Sequence, residues 1–267
     1  MSDFLQIMAQ ASAERAAQAD SQLRSAEFDK PAASLSLGDF DVIAEIKNRS
    51  PSEGDLTAPD YNRVEQARRY VEGGAAAISV LTEPSRFAGS LEHLEDVAAA
   101  VPGTPVMRKD FLVEPIQILE ARAAGASGAL LIVTMLDDGK LRDMLDCVDE
   151  QGMFVLLESF DKTDLERTSR LLQTSAYRDM ADRGQLLTGV NTRNLRTLNV
   201  DSDRLKTLAP ALPASRCVAE SGLRSADDAA AVAGLGYSLA LVGTALMRSA
   251  DPAALIAAMR SAGSAAA

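Results

Sequence analysis

The stretch PVMRKDFLV (105–113) sets Arg108, Lys109 and Asp110 inside an otherwise apolar run. Four other apolar runs end the same way. DVIAEIK closes on Glu45 and Lys47, MFVLLES on Glu158, LLTGVNTR on Asn191 and Arg193, and CVAES on Glu220 and Ser221. Buried charge is costly unless paired, so these placements do not serve stability. Lysines beside carboxylates suit proton transfer: an ammonium can protonate a carbonyl oxygen, and a carboxylate can accept a proton in return. The chain has one histidine, His93, and two cysteines, Cys147 and Cys217, far apart and without metal-like spacing. A His-based zinc site and a Ser-His-Asp triad are therefore set aside, and no metal is expected. The cysteines read as buried thiols in a reducing compartment, and His93 as a solvent-facing helix residue.

The elements that must position these residues follow a regular beat. Eight short β-rich runs, at 41–47, 76–82, 105–110, 128–133, 153–159, 186–191, 217–221 and 239–244, alternate with helical patterns. The helical patterns include YNRVEQARRYVEGG, EPIQILEARAAGA, DDGKLRDMLDCVDEQG and SADDAAAVAGLGY, several of which end in glycine, a favoured helix stop. Eight alternating units predict an α/β fold of the (β/α)8 barrel type. An open doubly wound sheet is the alternative, but no G-x-G-x-x-G follows the first strand. The segment before the first strand, FLQIMAQASAERAAQA, reads as a helical extension over residues 1–40 that caps the barrel or folds over its mouth. Residues 1–267 are read as one domain, with no linker.

In such a barrel the strand C-termini form the active-site face. Period-2 alternation puts Glu45 and Lys47 on one inward side and points Lys109 inward. The loops after the seventh and eighth runs, ESGLRS and VGTALMRS, are rich in small residues whose backbone N–H groups can approach an anion. RSPSEG (49–54) adds hydroxyls near the same place.

Composition narrows the partners. A formal net charge of −11 opposes nucleic acid and acidic membranes, though a local cationic pocket remains compatible with it. No apolar run is long enough to span a bilayer and no signal peptide is evident, so a cytoplasmic protein is expected.

Six blocks then carry a resemblance: AEIKNRSPSEG, VMRKDFLVEPIQILEARAAGA, LLES, GVNTRNLRTLNVD, AESGLRSADD and LVGTALMRSADP. Together, in order from about residue 40 to 255, they resemble indole-3-glycerol phosphate synthase of tryptophan biosynthesis. That family converts 1-(2-carboxyphenylamino)-1-deoxyribulose 5-phosphate to indole-3-glycerol phosphate with loss of carbon dioxide and water, using no metal or organic cofactor. The resemblance implies Lys109 as general acid for ring closure, Glu158 as general base, and Glu45 with Lys47 in the dehydration. It implies Arg193 on the substrate carboxylate, Asn191, Glu220 and Ser221 around the sugar hydroxyls or the catalytic carboxylates, and Phe87 against the anthranilate ring. Ser52, Gly222, Gly243 and Thr244 match phosphate positions. The implied partner is a small phosphorylated substrate, and a monomer is the expectation for assembly.

The chain departs from the family pattern at Arg86, Ile116, Ser159-Phe160 and Thr192. These departures suggest an altered wall around the anthranilate ring, hence an alternative: a specialised relative acting on a substituted anthranilate. Two further alternatives are a barrel that binds a phosphorylated ligand without catalysis, and the isomerase of the same pathway. The isomerase works with a cysteine and an aspartate, and neither cysteine here ends a strand beside the proposed site.

Overall fold

The computed structural model describes residues 3–19, 21–25, 28, 31–50, 54–56, 61–193, 200–201 and 203–267. Eight parallel strands close into a barrel: β1 Asp41–Ile46, β2 Ala77–Leu81, β3 Val106–Lys109, β4 Gly128–Ile132, β5 Phe154–Ser159, β6 Leu186–Asn191, β7 Arg216–Glu220 and β8 Leu239–Val242. Each pairs with its sequence neighbour, and β1 closes the ring on β8 with Asp41 opposite Leu239 and Ala44 opposite Val242. The expected (β/α)8 architecture is present, with strand limits within two residues of those read from the apolar runs.

The runs are continuous because each strand is covered on both faces, by the barrel interior and by the helix layer. β1, β5 and β6 are buried at every residue. The helices follow from their own ends. Asn62 accepts the Val64 and Glu65 N–H groups at the start of Arg63–Glu72, and Ser225 with Asp228 forms a reciprocal cap on Ala226–Ala233. Gly74 and Gly152 lie just past two helix ends with φ of 82° and 62°, the left-handed turn for which glycine is suited.

Of the helical extension expected over 1–40, the structure shows the helix Asp3–Ala16 and a short turn at Ser21–Ser25, while 31–40 has no helix; Phe4 of the first helix lines the cavity at the strand ends. Leu5 and Met8 are buried, and Gln117 donates to the Ser12 hydroxyl at 2.9 Å. Arg15 reaches Asp110, just past the end of β3, at 2.8 Å. Asp110 also accepts from the Thr82 hydroxyl at 2.8 Å and neighbours the buried Arg108 at 3.4 Å, so the helix is bound to a closed polar network rather than to a surface patch. Outside the barrel, Arg49–Ser50 pairs with Gly54–Asp55 in a short antiparallel ribbon after β1. Both cysteines are buried thiols.

Candidate active site

A cavity of about 650 Å³ opens among the C-terminal strand ends. Its floor is ionic. The end of β1 supplies Glu45 and Lys47, which meet at 2.7 Å. From the end of β3, Lys109 points to the same centre. Its Nζ lies 3.5 Å from Glu45, 3.7 Å from Glu158 on β5 and 4.0 Å from Glu220 on β7. One ammonium thus stands among three carboxyl groups drawn from three different strands.

Glycines make room for this cluster. A methyl group at Gly243 would collide with the Glu45 carboxyl and lie 2.8 Å from the Lys47 ammonium. One at Gly189 would collide with Oε1 of Glu220. Gly243, expected as a phosphate position, therefore also clears space for an ion pair.

The protonation states follow from these contacts. Burial alone would raise the Glu45 pKa, but Lys47 and Lys109 outweigh it and hold the carboxyl down at about 2. Burial would release the Lys109 proton, but Glu45 first and then Glu158 outweigh that and raise the ammonium above its usual range. Of the opposing effects of burial and nearby carboxylates on this lysine, the carboxylates prevail. Glu220 goes the other way: its burial and the neighbouring Glu158 charge push its carboxyl well above the ordinary range.

Beside the floor, Asn191 ends β6. Its Oδ1 accepts from the Arg193 N–H and the Ser221 hydroxyl, both at 2.9 Å. Ser221 holds a left-handed backbone with φ of 68°, a conformation that a residue with a Cβ seldom adopts outside constrained sites. Arg193, Gly222, Gly243 and Thr244 line the same cavity. Ser52 lies outside the described residues. The structure therefore brings together every other site residue expected from the sequence.

The opposite wall is apolar. Phe87 ends a single helical turn, Pro84–Phe87, and tilts toward Phe111 with ring centroids 6.2 Å apart. Phe4, from the N-terminal helix, meets Phe111 edge-on at 5.8 Å. Phe4, Phe111, Leu130, Ile132 and Arg248 line the cavity but were not singled out from the sequence. Phe111 follows Lys109 by two residues, and that spacing could have pointed to it. Phe4 carries no local signal, because only the docking of its helix brings it there.

The departures at Arg86, Ile116, Phe160 and Thr192 do not form this wall. Arg86 is exposed on the helical turn whose other side presents Phe87. Ile116 is buried in the core at a helix start, and Phe160 packs against the core while its N–H donates to Asp164 at 3.0 Å. Thr192 donates to the Ser221 carbonyl at 3.1 Å and so ties the β6 and β7 loops together. The altered wall expected from these positions is corrected accordingly, and with it goes the ground for a changed ring specificity. His93 is half-buried rather than solvent-facing, and burial with nearby Arg63 lowers its pKa.

A barrel whose strand ends gather ammonium and carboxylate groups beneath an aromatic wall, with small-residue loops at the rim, defines an acid–base enzyme of the (β/α)8 class. The family described as indole-3-glycerol phosphate synthase matches residues 5–259. The chain belongs to the indole-3-glycerol phosphate synthase family. It is 49% identical over 213 residues to indole-3-glycerol phosphate synthase of Nocardioides sp., covering 79% of this chain and 76% of that protein. The same enzyme of Parafrankia sp. is 45% identical over 223 residues, covering 83% and 78%. Among solved structures, 3-hexulose-6-phosphate synthase from Salmonella typhimurium superposes with a TM-score of 0.62 over 85% of this chain and all of that one. At 17% identity it attests the fold alone.

Proposed function

We propose that this pocket carries out its family's reaction, closing 1-(2-carboxyphenylamino)-1-deoxyribulose 5-phosphate to indole-3-glycerol phosphate as a carboxy-lyase of tryptophan biosynthesis. The observation that carries the residue roles is the single Lys109 ammonium among three carboxyl groups on the cavity floor. As the arene carbon attacks the ketone, Lys109 gives its proton to the ketone oxygen. An ammonium held by carboxylates stays charged until that oxygen becomes basic enough to take the proton. The carboxylate then leaves as carbon dioxide, its bonding electrons restoring the aromatic ring. In the dehydration Lys47, paired with Glu45, protonates the departing hydroxyl, and Glu158 accepts the proton released as the indole forms.

Arg193 holds the substrate carboxylate, for which the planar two-point guanidinium is suited. Asn191, Ser221 and Glu220 serve the sugar hydroxyls and the catalytic carboxylates. Phe87 lies against the anthranilate ring. The phosphate sits at Gly222, Gly243 and Thr244, with Ser52 from the β1 loop. Residues 1–267 act as one unit, a cytoplasmic monomer whose partner is this small substrate and neither nucleic acid nor membrane. Among the described residues, no helix is long and apolar enough to cross a membrane.

The test is direct. Purified protein with the plain substrate should produce indole fluorescence, and a ring-substituted analogue should react no better. Turnover of the analogue alone would assign the chain to a specialised substrate. Silence with both, in folded protein, would leave a binding barrel without catalysis.

A further inference from the structure

Glu220 is the least accessible charged group of the floor, with 1% of its surface exposed. Neither of its oxygens receives an N–H or hydroxyl from any described residue. Lys109, its closest cation, stands 4.0 Å away, beyond hydrogen-bond reach, and is nearer both to Glu45 and to Glu158. The other floor ammonium, Lys47, is committed to Glu45 at 2.7 Å. Two cations therefore face three carboxyl groups, and Glu220 is the one left over. Glu158 converges on the same Lys109 nitrogen, at 3.7 Å against 4.0 Å for Glu220, and is the carboxyl group that bears most strongly on Glu220. Two buried carboxyl groups brought together on one ammonium attract each other only when a proton lies between them.

The other groups packed against Glu220 offer it no charge. On β6 it faces Gly189, whose missing side chain leaves the space for Oε1, and it is registered opposite Asn191. The Asn191 amide oxygen is already taken by Arg193 and Ser221. On β8 it is opposite Leu241. Across the barrel the charged groups that bear on it are Glu158, Lys109 and Glu45.

We propose that Glu220 is kept as the neutral acid at working pH and donates its proton in a hydrogen bond to Glu158, the two sharing one proton as a carboxyl–carboxylate dyad. Glu158 is the ionised member, because it lies closer to Lys109. Its carboxylate is then held from two sides, by the Lys109 ammonium and by the Glu220 hydroxyl. Glu220 is thus a positioning residue: it sets the orientation of the base without itself taking substrate protons. The direction of its own pKa, well above the carboxyl range, agrees with this assignment. The consequence for catalysis rests on the functional reading above, but the proton itself does not.

Two measurements separate the cases. Infrared difference spectra of substrate-free wild type against Glu220→Gln, at a pH well above the ordinary carboxyl value of about 4.3, should show a neutral-carboxyl C=O band that the variant lacks. Its absence in folded wild type would overturn the dyad whether or not the protein turns over substrate. The second reads the alkaline limb of kcat/KM. Replacing a neutral acid by a neutral amide removes no charge near Lys109, so in Glu220→Gln that limb should not move to lower pH. If Glu220 is instead an ionised counter-ion, the substitution weakens the hold on the Lys109 proton and the limb moves down, which also overturns the proposal. A Glu158→Gln variant guards against a folding failure of the first. Its amide can donate to Glu220, which frees that residue from its proton, so the neutral-carboxyl band should vanish there too; its persistence would place the proton elsewhere.

Discussion

Gly189 faces the Glu220 carboxyl across the β6–β7 pairing, and the space where its Cβ would stand is occupied by Oε1 of Glu220. A small strand residue here is therefore a condition of the acid–base floor.

Gly189→Ala should displace the Glu220 carboxyl while leaving the barrel closed. Turnover is expected to fall by at least about tenfold, less than the roughly 100-fold or more carried by an acid–base group itself, because Glu220 acts through Glu158. The overpacking should cost about 1–3 kcal/mol. Steady-state kinetics beside a thermal melt would check both, and unchanged kcat would show that the floor tolerates the shift.

Lys109→Ala removes the proposed general acid and the cation that faces all three carboxyl groups. Turnover should drop by at least about 100-fold, from the usual worth of positioned acid–base catalysis; a loss below tenfold would remove Lys109 from the mechanism. The variant should also fold best in acid. Without the ammonium, Glu220 loses the cation that opposes the rise of its carboxyl, so its folded-state pKa lies still further above its unfolded one. The associated stability is full below the unfolded value of about 4.3 and is lost as pH rises through the folded values. Melting temperature as a function of pH tests the sign.

Arg193→Ala should act mainly on binding, because a carboxylate contact made before and during the reaction is largely uniform binding. Loss of one charge-assisted contact, about 1.5–3 kcal/mol, corresponds to a KM raised roughly 10- to 100-fold. An unchanged KM would reassign the residue.

The network behind β3 can be dissected by two substitutions with unequal effects. Asp110→Ala leaves the Thr82 hydroxyl and the Phe111 N–H without their buried acceptor, while Arg108 keeps Glu120 at 3.2 Å, and should cost about 1–3 kcal/mol. Arg15→Ala removes a partner whose side chain is 31% exposed and should cost no more than about 1 kcal/mol. Denaturant melts of the two, compared side by side, would show whether the asymmetry holds.

Asp164 offers a pH test away from the chemistry. Burial raises its carboxyl from an ordinary 3.8 to about 6, in spite of the Phe160 N–H that it accepts. A raised carboxyl contributes stability that is present below the unfolded value and lost as pH climbs through the folded one. Asp164→Asn keeps the acceptor and removes the charge, so it should become the more stable protein above about pH 6, by on the order of 3 kcal/mol at one pKa unit per 1.36 kcal/mol. Equal melting temperatures for the two proteins at neutral pH would refute the buried charge as a cost.

The strand pattern was legible because barrel strands buried on two faces leave nearly unbroken apolar runs. Their few charged exceptions, Glu45, Lys109, Glu158 and Glu220, then stand out at the strand ends. Alternation sufficed to point Lys109 inward. What could not be read depended on contacts across the chain. Phe4 joins the pocket through contacts far along the chain, among them Arg15 with Asp110, 95 residues further on. The isolation of Glu220 depends on the clearance at Gly189, which is a matter of register between two strands. Arg86, Ile116 and Phe160 were misjudged for the same reason: they neighbour site residues in sequence, but their side chains turn to solvent or into the packed core.

The N-terminal helix leaves the ribosome before the barrel and is put to use after much of it. Its apolar side, with Leu5 and Met8, has no partner surface until later strands have been made, and Phe4 has no ring to rest on until Phe111 is in place. Part of the apolar wall and the acid–base floor therefore come from pieces of the chain synthesised far apart. Swapping the leading helix would re-wall the mouth while leaving the ammonium and its carboxylates as they are, so substrate range could drift in this molecule without disturbing the catalyst beneath it.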